Sequence, residues 1–164
     1  MYLLDTAIVF ELRKAKAGQT DAGLAAWASG IPRDRLFLSA ISLLELETRA
    51  ARVRRHDKTA GSALRGWIDG QLLPAFGSHV LPVDTAVVRR RAQLPIASTR
   101  DALLAATAIE HSLTLATRDL AAFRGARVKL FNPWGYTPDA EDDVDWRAAS
   151  RAGPLWLKNL FVRA

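Results

Sequence analysis

The chain has 164 residues, enough for one domain with a single sizeable core, and 49% of them are hydrophobic against 24% charged. It has no cysteine, which excludes disulfides, thiolate catalysis and sulfur-ligated zinc, and no run approaches the ~18 apolar residues of a membrane span. A formal charge of +6, from 23 Lys and Arg against 17 Asp and Glu, favours an anionic partner such as nucleic acid or an acidic protein over a membrane surface.

Tyr2-Leu3-Leu4 followed by Asp5 has the form of a buried strand running into a turn, and without a basic lead it does not resemble a secretory signal. Thr6 to Arg13 continues as a helix with Ile8, Val9 and Leu12 on its apolar face, and Thr20 to Ser29 as a second, closed by Gly30 and Pro32. Leu36 to Ser39 is the next strand. Helices follow over Ile41 to Arg54 and over Lys58 to Leu73, the latter with Leu64, Trp67, Ile68 and Leu72 inward and Pro74 ending it. His79 to Pro82 fits either a strand or a connector, and Asp84 caps a helix through Leu94.

Ser98 or Thr99 then caps a helix that carries Asp101 in its first turn, where the helix dipole favours negative charge. Asp101 shares a stripe with Leu104, Ala105 and Ala108, small enough to bring the helix close to a sheet with the carboxylate at its rim. Thr114 to Ala116 is a strand, Leu120 to Phe123 a brief helix, and Val128 to Phe131 a last strand stopped by Asn132-Pro133. Strands alternating with helices imply parallel pairing, an α/β sandwich.

The remainder divides in two: residues 135–153 are polar and acidic and have the character of a linker, and residues 154–162 form a compact apolar segment that should pack on something. The division expected is therefore a domain over 1–134 and a C-terminal extension over 135–164. The basic charge lies in the first part, at Arg49, Arg52, Arg54 and Arg55 and again at Arg89 to Arg91.

In an open parallel sheet ligands bind beyond the carboxyl ends of the strands, and Asp5 and Asp119 both fall at that edge, with Asp101 opening the helix just upstream of the Asp119 strand. Carboxylates brought together repel, and a divalent cation with hard oxygen ligands relieves the repulsion. Each aspartate taken alone is more often a cap than a ligand. A fourth acid is not settled by periodicity. Glu45 shares a polar stripe with Ser42, Thr48, Arg49 and Arg52, whereas Glu47 falls among Leu43, Leu44, Ala50 and Ala51. His56, His79 and His111 lack ligand spacing, and no nucleophile elbow, phosphate loop or dinucleotide fingerprint is present.

Five motifs in order resemble one family: Leu3-Leu4-Asp5-Thr6, the stretch from Leu38 to Leu46 around Glu45, Asp101-Ala102-Leu103-Leu104-Ala105-Ala106-Thr107-Ala108, Leu115-Ala116-Thr117-Arg118-Asp119, and Phe131-Asn132-Pro133-Trp134. Over residues 1–134 the chain resembles the PIN-domain ribonucleases, specifically the VapC-type toxins of toxin–antitoxin pairs, including their FitB-like branch. The resemblance implies a PIN-like three-layer α/β/α sandwich around a central, mostly parallel sheet. It implies a cytoplasmic, magnesium- or manganese-dependent endoribonuclease with Asp5, Glu45, Asp101 and Asp119 as catalytic and metal-binding acids, and it selects Glu45 over Glu47. Thr6 and Thr117 match site-lining threonines.

Implied partners are RNA, often tRNA or rRNA, a VapB-type antitoxin that lays a peptide across the acidic groove, and a second copy in a homodimer. Arg49, Arg52, Arg89, Arg90 and Arg91 are candidates for holding the RNA backbone, solvated helix faces being the plainer reading. The chain departs from the family pattern with Ala7 in place of an Asn after Asp-Thr, with Arg49 where a Gly is frequent, and with a longer tail. The alternative, with which Ala7 and the tail are consistent, is a weakly active or inactive PIN-domain module that acts with its antitoxin as a DNA-binding regulator.

Overall fold

Five short strands, β1 (Tyr2–Leu4), β2 (Leu36–Ser39), β3 (Val80–Leu81), β4 (Thr114–Ala116) and β5 (Leu130–Phe131), form one sheet in the order β3-β2-β1-β4-β5. All four pairings are parallel, with Leu3 opposite Phe37 on one side and Leu115 on the other. The computed structural model describes residues 1–14 and 20–137. The extension expected over 135–164 therefore lies outside the described residues beyond Thr137, and its linker and apolar segment with it.

Seven helices connect and cover the strands among the described residues: α1 (Thr6–Lys14), α2 (Ala22–Gly30), α3 (Ala40–His56), α4 (Lys58–Trp67), α5 (Leu73–Phe76), α6 (Thr85–Ala92) and α7 (Thr99–Glu110). Because side chains alternate across a strand, neighbours divide between two cores. Leu4, Leu36, Leu38 and Ala116 join Ile8, Leu12, Trp27, Leu46 and Trp67 on one face. Leu3 and Leu115, with Phe37 and Leu130, join Ala102, Leu104, Ala105 and Ala108 of α7 on the other. Helices on both faces of a parallel sheet make the three-layer α/β/α sandwich that the resemblance implies, and the parallel pairing is the one that the alternation of elements implies.

The capping residues explain where the helices start. Asp21, Ser39, Asp57, Asp84 and Ser98 each accept a backbone N–H from the first turn of α2, α3, α4, α6 and α7. Of the two candidate caps for α7, Ser98 is the one used, accepting from Asp101 N–H. Replacing such a cap with Ala costs about 1 kcal/mol.

One expectation is corrected. Pro74 does not end the helix that begins at Lys58. A π turn spans Ile68–Leu72, in which Leu73 N–H donates to Ile68 C=O, and helical structure resumes over Leu73–Phe76 with Pro74 in its first turn. The wider turn resets the phase of the helix, so Ile68, Leu72 and Phe76 all remain fully buried. His79 to Pro82, open between strand and connector, supplies the edge strand β3. Of Val128 to Phe131, Leu130 and Phe131 pair.

At the far end Asp21 has a second role. Its Oδ1 accepts from Leu24 N–H at 2.9 Å and from Gly135 N–H at 3.2 Å, pinning the chain after β5 to the start of α2.

Candidate active site

The chain order reverses at β1, whose neighbours are β2 and β4, so the crevice beyond the carboxyl ends of β1 and β4 is the topological switch point. Asp5 follows β1 there. Its backbone N–H donates to Ala116 C=O at 3.0 Å, and its side chain is buried. Thr117, directly after β4, is fully buried and donates its hydroxyl to Asp5 Oδ2 at 2.8 Å.

Two further carboxylates reach the same point from helices. Glu45, near the start of α3, accepts the Thr6 hydroxyl on Oε2 at 2.5 Å. Asp101 lies in the first turn of α7. What joins the three is a cation. Arg100 Nη2 donates to Asp5 Oδ1, Nη1 to Asp101 Oδ1 at 2.5 Å, and Nε to both oxygens of Glu45 at 3.0 Å. Burial by itself would lower the guanidinium's proton affinity, but its bonds to Asp101 and Asp5 and the fields of Asp5 and Glu45 outweigh that, holding Arg100 above its ordinary value.

Asp119 stands apart from this cluster. It is exposed, three residues beyond β4, and its Oδ1 accepts from Ala121 and Ala122 N–H at 3.1 Å each. It is tied to the site through the backbone: Asp119 N–H donates to the same Thr117 hydroxyl that holds Asp5.

Glu47, the other acid weighed on α3, turns away to α4, where it pairs with Arg65 at 2.7 Å. The buried stripe of α3 is Ser42, Leu46 and Ala50; of the residues grouped with Glu47, Ala50 is buried and Leu43 packs on the core, but Leu44 is 60% exposed, so that grouping straddles the edge of the core.

A groove of about 700 Å3 runs from Glu45 and Arg100 between α1, α3 and α7. Phe10, Leu44 and Leu103 give it an apolar floor, and Arg49 and Arg52 line it as well. The Arg49 guanidinium lies 4.3 Å from the centre of the Phe10 ring. Arg89, Arg90 and Arg91 do not line this groove; they sit in the last turn of α6, where Arg90 pairs with Glu110 of α7 at 2.5 Å.

Arg100 is the residue that sequence reasoning passed over. Its signal was positional. An arginine in the first turn of a helix faces the positive end of the dipole, an unfavourable place unless acids hold it there.

The donors present fit a hard divalent cation: three carboxylates, with hydroxyls from Thr6 and Thr117 fixing two of them. The carboxylates are nonetheless spaced around a guanidinium, and no group of three or more acids or histidines among the described residues stands as a ready-made metal cage.

The model of the family described as PIN domain matches residues 2–128. The chain belongs to the PIN-domain family. Over 142 residues it is 34% identical to toxin FitB of Neisseria gonorrhoeae, covering 82% of this chain and 99% of that one. It is 32% identical over 142 residues to VapC ribonuclease Y4jK of Sinorhizobium fredii, covering 82% and 98%. The crystal structure of FitAcB from Neisseria gonorrhoeae superposes with a TM-score of 0.73 at 33% identity, covering 82% of this chain and 99% of the other.

Proposed function

We propose that this PIN domain is a metal-dependent endoribonuclease and the toxin of a toxin–antitoxin pair. The observation that carries the reading is the convergence of Asp5, Glu45 and Asp101, from three separate elements, at the switch-point crevice of a parallel sheet. Relatives named as a toxin and as a ribonuclease give the chemistry its direction.

Asp5, Glu45 and Asp101 would hold a magnesium or manganese ion, with Asp119 completing the acidic rim. When bound, such an ion supplies Lewis acidity and a water of lowered pKa for attack on a phosphodiester. The chain's own groups do the rest. Thr117 and Thr6 fix the orientations of Asp5 and Glu45, because each carboxylate accepts a hydroxyl hydrogen bond that a rotated side chain would lose. Arg49 and Arg52 place positive charge along the groove, where an RNA backbone otherwise repelled by the acids can be held.

The antitoxin would cover the same groove. Phe10, Leu103 and the exposed Leu44 offer an apolar strip, and the acids at its end offer a place for a basic side chain. A homodimer of the toxin, acting in the cytoplasm, completes the proposal; no helix among the described residues is long and apolar enough to cross a membrane.

The test is cleavage of total tRNA and rRNA by the purified chain with manganese or magnesium. Asp101→Asn and a chelator should each abolish it. Cleavage that survives both would sink the metal reading, and a folded wild type that binds metal but cleaves no RNA would favour the regulatory alternative.

A further inference from the structure

The Arg100 guanidinium spends every edge on the acids that would take a metal: Nη2 on Asp5, Nη1 on Asp101 and Nε on Glu45. Nothing in the first turn of α7 otherwise favours a cation, since that end of the dipole is positive and the capping oxygen belongs to Ser98. The three carboxylates also need it, because with the guanidinium gone they would face one another with no counter-charge from the described residues that contact them. The arrangement is tight but not sealed, the Arg100 side chain keeping 32% of its surface exposed toward the groove.

We propose that Arg100 is a built-in counter-cation which a divalent metal must displace, so that loading of this site is an exchange of one cation for another within the chain. The inference rests on the metal-dependent reading above and deepens it: the metal-free protein is stabilised by the side chain that opposes metal binding. Lysine is not an equivalent occupant. Its ammonium is a point charge and cannot reach three carboxylates with a planar fork, so it competes less well.

The experiment titrates Mn2+ alone into the full chain by calorimetry, comparing wild type, Arg100→Lys and Arg100→Gln. Thermal melts without metal and at saturation accompany each titration. Arg100→Gln should bind Mn2+ at least about tenfold more tightly than wild type, because no cation has to leave the carboxylates first, and Arg100→Lys should fall between them. Without metal Arg100→Gln should melt below wild type, and Mn2+ should raise its melting temperature by more.

A second measurement does not depend on the variants folding. In wild type the Arg100 Nε–H, held by Glu45, should give a protected NMR resonance that Mg2+ releases. Equal or weaker Mn2+ binding by Arg100→Gln, or an Arg100 Nε–H signal unmoved at saturating Mg2+, overturns the exchange while leaving the metal site standing. Absence of Mn2+ binding by wild type and both variants overturns the metal reading itself, and the exchange with it.

Discussion

Thr117→Val isolates one hydroxyl at the centre of the site. Oγ1 donates to the buried Asp5 carboxylate at 2.8 Å and accepts from Asp119 N–H at 3.2 Å, and the side chain is fully buried, so the valine methyl takes its place without new space. A hydrogen bond to a charged group contributes about 1.5–3 kcal/mol, and Asp5 retains Arg100 on its other oxygen, so the loss is about 2 kcal/mol. The Asp119 N–H belongs to an exposed residue and adds little. For a chain of this length that corresponds to a fall in melting temperature of about 4–8 °C. The assay is urea and thermal denaturation of Thr117→Val beside Thr117→Ser, which keeps the hydroxyl. A double-mutant cycle with Asp5→Asn should return a coupling of about 1 kcal/mol or more. A Thr117→Val protein within ~0.5 kcal/mol of wild type would refute the reasoning, as would Thr117→Ser being equally destabilised.

Gly61→Ala tests the approach of α3 and α4. Its Cβ would lie 2.4 Å from Arg54 Cα, a backbone atom that cannot swing aside, so the ~1 kcal/mol gained in helix propensity is overcome by overpacking of about 1–3 kcal/mol, readable by urea denaturation. In RNA binding measured on the cleavage-deficient Asp101→Asn background, Arg49→Ala and Arg52→Ala should each reduce the slope of log affinity against log salt by about 1. Arg90→Ala should leave that slope unchanged, because its guanidinium is engaged with Glu110 outside the groove; an equal effect from all three would dissociate RNA binding from the groove.

Much of this architecture can be read from local chemistry. Asp84 and Ser98 announce their helices because short oxygen-bearing side chains satisfy the first free N–H groups, and the stripe of Leu104, Ala105 and Ala108 predicts the close seating of α7 on the sheet. Asp5 is placed by topology, since an acid after a parallel strand can only stand at the carboxyl edge. Glu45 is not legible this way. Leu44 beside it is exposed into the groove, so an apolar residue marks the site rather than the core and misleads the helical wheel. Pro74 misleads for another reason: a π turn is a tertiary solution, adopted so that Phe76 stays buried, and no local signal encodes it. Arg100 is not legible locally because two of its three acids are distant in sequence, Glu45 lying 55 and Asp5 95 residues upstream of it.

The placement of Asp5 has a consequence for the timing of synthesis. Asp5 leaves the ribosome well before the groups that surround it, since its backbone partner is Ala116, its hydroxyl partner Thr117 and its counter-charge Arg100. A nascent chain that has emerged through α3 carries Asp5 and Glu45 without Asp101, and β1 still lacks the neighbour β4 that closes the crevice. At a translation rate of about 5–20 residues per second, the cluster cannot assemble until several seconds after Asp5 is made. The carboxylate cluster is thus a late product of synthesis, complete only once the chain through Thr117 is available to fold.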